Sequence, residues 1–369
     1  MLENKIPAEQ LTERVYPRVE DERGSYFRDI TAIIHSNPFR RLKHKTQVFF
    51  SPKNDHICTR IEHVMHVATI SVTICKALSL ESDLAWAISL AHDLGHTPFG
   101  HTGEHIISQF LKESGGFKHE AYSLRVVDHL INYGKGLNLT YGVRDGIINH
   151  CGEVFEQSYR PDFTIKNLSA LEGRSEYPST WEGVAVRASD RIAYLGRDLE
   201  DALQLKILKP ESIPVVVTAT LGNRNSDMID TLVKDVIRYA KTNDEIGFSD
   251  PVYEAMLVLK EFNYKNIYNS SILEDFHQFI ERVLKTLWDY LENLFSKFGY
   301  DYEKYKGEKT MLASRFSDYL EKMEKFYLET EKSNKNIVLD YIAGMTDDFA
   351  LDCISELYLP GKFFYNFYI

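Results

Sequence analysis

Eight of the 13 histidines of this 369-residue chain fall between His56 and His119, and a His-Asp doublet, His92-Asp93, lies inside that stretch. Imidazole and carboxylate groups together hold divalent cations and move protons near neutral pH. A helix presenting His63 and a neighbouring helix ending in His92-Asp93 would supply three ligands on short, stiff side chains. The fourth must come from a distant helix, and Asp190, in RASDRIAYLGRDLEDAL, is the best candidate. Singly, each has an ordinary reading: a lone helical histidine is more often a satisfied structural residue than a ligand, and Asp190 alone reads as a surface charge.

More chemistry surrounds these four. His96, His101 and Glu104 follow the doublet within a dozen residues, and His119 opens the next predicted helix. On their own, Glu104 reads as a helix cap and His119 as a packed side chain. Arg60 lies one turn before His63, so its guanidinium can reach a phosphate beside the metal. Asp190, Tyr194, Arg197 and Asp198 recur at steps of three and four and share a helical face, with Arg191 flanking the ligand. A solvated charged face is the ordinary reading of Arg197, Asp198, Glu200 and Asp201, and it is preferred for Glu200 and Asp201. His56, His66 and His105 keep their ordinary readings. The basic cluster Arg40, Arg41, Lys43 and Lys45 leaves open nucleotide contact, a regulatory nucleotide at a subunit contact, or plain solvation.

These residues need helices to carry them. From Arg60 to Leu80 the apolar residues Ile61, Val64, Met65, Ala68, Val72 and Cys75 recur at helical steps, and a second helix is expected from Ser82 to His92, with Leu84, Ala87, Ile88 and Ala91 on one face. Gly95 and Pro98 then demand a turn. Further helices are expected at 103–114, 119–133, 140–151, 181–205 and 226–242, and across much of 251–350. The fold class is all-α, with room for a short hairpin. KILKPESIP, 206–214, is the candidate boundary between a catalytic region, 1–205, and a C-terminal helical region, 206–369, packed on it or continuous with it. The aromatic end, FFYNFYI, reads as a packed tail rather than a subunit contact.

Composition narrows the class. With 44% apolar residues the chain can bury a substantial core, and a net charge of -11 argues against a surface devoted to nucleic-acid phosphates. No apolar run approaches the roughly 18 residues of a membrane span, and the charged N-terminal stretch is unlike a signal peptide, so a cytoplasmic location without membrane contact is the default expectation. The scattered Cys58, Cys75, Cys151 and Cys353 suit reduced thiols.

The pattern of His63, His92-Asp93 and Asp190 resembles the HD-domain metal-dependent phosphohydrolases. The blocks IIHSNPFRRLKHKTQVF, TRIEHVMHV, LAHDLGHTPFGHTGE, KHEAYSLRVV, SDRIAYLGRDLEDAL and DYIAGMTDDFALD, in that order, resemble the deoxynucleoside triphosphate triphosphohydrolase branch, and they cover well over half the chain. The resemblance implies an HD-type helical fold and cleavage of a dNTP, dGTP among the candidates, to deoxynucleoside and inorganic triphosphate. It implies metal ligands His63, His92, Asp93 and Asp190. His101 would protonate the 5′ oxygen, with Glu104 raising its pKa, while His96 and His119 bind the α-phosphate or orient water. Arg60, Arg191 and Tyr194 would contact phosphates and Asp198 the 3′ hydroxyl. Glu104 is Asp in some relatives, which keeps the charge and alters its reach.

Two nitrogen and two oxygen donors suit Mn²⁺, Fe²⁺, Co²⁺, Ni²⁺ or Zn²⁺, and Mg²⁺ less naturally. The resemblance further suggests a homo-oligomer, tetramer or hexamer, an activating nucleotide at a regulatory site in some members, and single-stranded nucleic-acid binding in some relatives, for which the acidic balance and scattered basic residues speak only weakly here. Two other readings share the metal quartet: an HD hydrolase of monophosphates or cyclic nucleotides, and a nucleotide-sensing or nucleic-acid-binding module with a structural HD site.

Overall fold

The computed structural model describes residues 2–49, 56–152, 154–174, 176–331 and 333–358. The tail FFYNFYI lies outside the described residues. The helices that build the site are α1 (Gly24–Ile34), α2 (Arg60–Leu78), α3 (Ser82–Ala91), α4 (Gly100–Phe110), α5 (His119–Arg125), α6 (Tyr141–Ile148) and α7 (Trp181–Gln204). Behind them come α8 (Asn225–Asn243), α9 (Asp250–Asn263), α10 (Ser271–Phe298), α11 (Met311–Thr330), α12 (Asn334–Ala343) and α13 (Asp347–Tyr358). The all-α expectation holds. The β structure among the described residues is one antiparallel sheet pairing Ser158–Tyr159 with Ile246–Gly247 and two isolated bridges. The sheet joins segments far apart in sequence, so it is not a hairpin.

Helix α2 starts where the Glu62 carboxylate accepts the Thr59 amide at 2.7 Å, satisfying an N-terminal donor that the helix itself leaves unpaired. It ends at Ser79, in the left-handed conformation with φ 58°. The helix packs against α3 and α7. Its buried stripe runs through His63, Val64, Val67, Ala68, Ile70, Ile74 and Cys75, whereas Met65 is exposed, so the apolar face is rotated from the one expected. Full burial of Val67, Ile70 or Ile74 contributes roughly 1.5–3 kcal/mol each. By length and composition α2 is long and apolar enough to cross a membrane, although no unbroken apolar run within it approaches a span. Its place between α3 and α7 and its buried Arg60 and His63 make it a core helix.

In α3 the expected face, Leu84, Ala87, Ile88 and Ala91, is buried, and His92 caps the helix, its amide donating to Ile88 at 2.9 Å. The turn that follows is pressed against α5. A Cβ on Gly95 would lie 2.2 Å from the Ser123 nitrogen, so no other residue fits there. The Ser123 hydroxyl donates to the His92 carbonyl at 2.6 Å and accepts the Gly95 amide at 2.9 Å, fixing the doublet on α5.

The C-terminal helices join this arrangement through one contiguous core cluster that runs from Leu2 to Cys353. Buried Asp340 accepts from the Tyr122 hydroxyl at 2.9 Å and from Arg125 at 2.9 and 2.7 Å, tying α12 to α5. The basic cluster at 40–45 is divided. Arg40 and Lys43 are exposed, and Arg41 lines a cavity of about 880 Å³ with Arg315, Tyr319 and Asp340. Lys45 is buried, donating to the carbonyls of His96 and of Ala343, the latter at 2.9 Å.

Candidate active site and metal centre

The four expected metal ligands converge from three helix ends and faces. His63 Nε2 lies 3.0 Å from Asp190 Oδ1 and 3.8 Å from Asp93 Oδ2. His92 Nε2 lies 3.5 Å from Asp93 Oδ1 and 3.9 Å from Asp190 Oδ1. His92 Nδ1 donates to the Ser89 carbonyl at 2.6 Å, which fixes the tautomer and leaves the lone pair on Nε2. That Nε2 is buried without a hydrogen-bond partner, and burial lowers the His92 pKa to about 4. A neutral imidazole aimed at two carboxylates is the donor set a divalent cation requires, so the residues fit a metal.

Asp93 faces both ways. Its Oδ2 accepts from Arg60 Nη1 at 2.7 Å, and its Oδ1 lies 3.1 Å from His96 Nε2. Arg60 is fully buried, with Nε and Nη2 unpartnered at the cleft. Such a guanidinium still has donors for phosphate oxygens.

The rings of His96 and His119 stack with centroids 3.9 Å apart. Glu104 accepts from His119 Nδ1 at 3.0 Å and from the His119 amide at 3.3 Å, so it caps α5 and orients its first side chain together. Burial opposes the charge on His119, yet the Glu104 carboxylate holds its pKa well above the ordinary value. His101 is exposed at the cleft mouth, with Nδ1 3.8 Å from Glu104. The carboxylate expected to serve His101 is therefore engaged most closely with His119.

The cleft measures about 940 Å³ and is lined by Arg60, His63, Asp93, His96, His101 and His119 on one side and by Asp190, Tyr194 and Asp198 on another. It can hold a molecule larger than a phosphate, in contact with the candidate metal ligands, a buried guanidinium and several imidazoles.

The chain matches the HD domain model over residues 60–194 and the phosphohydrolase-associated domain model over 246–356. It is 40% identical over 346 residues to a deoxyguanosinetriphosphate triphosphohydrolase-like protein of Caldanaerobacter subterraneus subsp. tengcongensis, spanning 93% of this chain and 88% of that one. It is 38% identical over 341 residues to the protein of the same name in Desulfatibacillum aliphaticivorans, spanning 92% and 88%. The chain belongs to the deoxyguanosinetriphosphate triphosphohydrolase-like family of HD-domain phosphohydrolases.

Within this family member, Tyr194 and Asp198 line the cleft as the helical spacing suggested. Burial raises Asp198 to about 6, against a hydrogen bond from the Tyr268 hydroxyl, and its Oδ1 is unpartnered. Arg191 does not line the cleft. It donates to the Val154 carbonyl at 2.7 Å and lies 4.5 Å over the Phe155 ring, because a residue adjacent to Asp190 on a helix points to a different side. Asp201 is not solvated either: it is buried and accepts the Cys58 amide at 3.0 Å, bracing the segment that enters α2. Arg197 is half-buried, paired with Glu200 at 2.7 Å and 3.4 Å from His66.

Other members of the site were not read from sequence. His150 and Cys151 stand behind and beside His119, Arg174 donates to Glu104 at 3.0 Å, and Lys118, Lys260 and Tyr268 line the cleft. Only His150 carried a usable signal, an imidazole at the end of a predicted helix. Arg174, with φ 65°, sits in an irregular loop that has no periodicity to read.

Proposed function

We propose that the chain hydrolyses a dNTP to deoxynucleoside and inorganic triphosphate, with a divalent metal held by His63, His92, Asp93 and Asp190. The observation that carries this reading is the buried Arg60, bonded to Asp93 and still holding two free donors beside the ligand quartet. A cation bound there supplies Lewis acidity toward phosphate oxygen. Arg60 and the charged His119 stabilise negative charge building on the α-phosphate, and His96 holds Asp93 from the side opposite Arg60. Expelling the 5′ oxygen as an alkoxide is difficult unless it is protonated, and His101, facing the cleft, is the residue we assign to that proton. Tyr194 walls the sugar, and Asp198 accepts from its 3′ hydroxyl. Lys118, Arg174 and Lys260 supply the remaining positive charge for a triphosphate.

Purified protein incubated with each dNTP, singly and in mixtures, with Mn²⁺ or Mg²⁺ tests the reading. Deoxynucleoside and triphosphate are the expected products. Monophosphate with pyrophosphate, or no product in any mixture, overturns it. The mixtures also detect a nucleotide that activates hydrolysis of another, and gel filtration tests the homo-oligomer expected from the resemblance.

A further inference from the structure

Beside the HD quartet, His119, His150 and Cys151 place two imidazole nitrogens and a sulfur together, all within 4.8 Å of one another. His119 donates its Nδ1 proton to Glu104 at 3.0 Å, and His150 donates its own to the Ile147 carbonyl at 2.7 Å. In the neutral tautomer each ring then carries its lone pair on Nε2. These two nitrogens face each other at 3.3 Å, and the Cys151 sulfur lies 3.5 Å from that of His119. Two lone pairs so opposed need a proton or a metal ion between them.

The spacing also fits an ion. Zinc bonds of ~2.05 Å to nitrogen and ~2.3 Å to sulfur at tetrahedral angles place two nitrogens about 3.3 Å apart and a nitrogen and sulfur about 3.6 Å apart. The observed separations agree with both. Both histidines are buried, and Cys151 reaches the cleft, where a water or substrate oxygen can complete the coordination. We propose that His119, His150 and Cys151 form a second metal site, separate from the HD quartet, for a thiolate-preferring divalent ion such as Zn²⁺. Binding forms two metal–nitrogen bonds and one metal–sulfur bond and releases the thiol proton, together with the Nε2 proton of the charged His119, to solvent. Because His119 is shared with the cleft, an ion here takes the place of the proton on its Nε2, so the ion-bound form and the charged imidazole invoked above are alternative states of one residue.

Cobalt is the probe. Chelator-stripped full-length protein titrated with Co²⁺ should develop a near-ultraviolet thiolate-to-cobalt absorption that saturates as Co²⁺ is added and is missing from Cys151→Ser. An Asp190→Asn variant, weakened in the HD site, should keep the band, so the result does not depend on hydrolysis or on the function proposed above. On the unaltered protein, Zn²⁺ should slow alkylation of Cys151 at least tenfold; it is the one half-buried cysteine, the other three being buried. Absence of the band, its persistence in Cys151→Ser, or alkylation of Cys151 unaffected by Zn²⁺ would overturn the site.

Discussion

Asp347, at the start of α13, accepts the backbone amide of Phe99 at 2.8 Å, joining residues 248 apart in sequence. Phe99 sits in the left-handed region with φ 66°, an uncommon conformation for an aromatic residue, in the turn between the doublet and α4. The other Asp347 oxygen accepts the Thr46 amide at 2.9 Å. A carboxylate from the C-terminal region thus holds two strands of chain that border the cleft.

Asp347→Ala leaves those two amides without an acceptor. Unfolding in urea should show a loss of about 2 kcal/mol or more, and Asp347→Asn, which keeps one acceptor oxygen, should recover part of it. Equal stability of the alanine variant and the parent would mean that the turn is held by other contacts.

Arg60 braces Asp93, a proposed metal ligand, as well as facing the cleft. Arg60→Ala should weaken metal affinity by roughly 10- to 100-fold, measured by titration with Mn²⁺ in the absence of nucleotide. Arg60→Lys keeps the charge without the fork and should fall between. A triphosphate-specific enzyme should also lose far more activity with Arg60→Ala than a monophosphatase would, which a comparison of the two substrates measures.

Burial opposes a charge on His119, and the Glu104 carboxylate more than offsets it, raising the His119 pKa. Glu104→Gln removes that anion, so the His119 pKa should fall. In the pH profile of kcat/KM, the limb that requires charged His119 should shift to lower pH, while an unmoved limb would place the essential charge elsewhere.

Burial raises Asp201 to about 7, opposed by the hydrogen bond from the Cys58 amide. The unfolded carboxyl titrates near ~3.9. The folded state therefore binds the proton more tightly, and the stabilisation this gives is fully present below pH ~3.9 and is lost as pH rises to about 7. Asp201→Asn cannot ionise, so its stability relative to the parent should increase across that window. Denaturant midpoints at pH 4.5, 6 and 8, taken here as about equally spaced test points, check the trend. A constant difference would show that Asp201 stays ionised throughout.

The parts of the site that the sequence announced are those written in local spacing. Arg60 and His63 lie one turn apart on α2, His92-Asp93 ends α3, and Asp190, Tyr194 and Asp198 share a face of α7, because a helix converts steps of three and four into a common side. The helical class and most helix positions followed from that rule, and the four candidate ligands it placed on those helices lie close together.

Spacing says which side of a helix a residue occupies, and nothing about which helix it meets there. The pairing of Glu104 with His119 rather than His101, the approach of His150 and Cys151, and the turn of Arg191 toward Phe155 were decided by how α4 to α7 pack. Asp201 looked solvated because its partner, the Cys58 amide, lies 143 residues away. The sequence alone singled out the candidate ligands and their helices; tertiary packing decided the proton partners, the cleft's far wall at Tyr268 and the brace at Asp347, since those contacts exist only once distant segments are buried against each other.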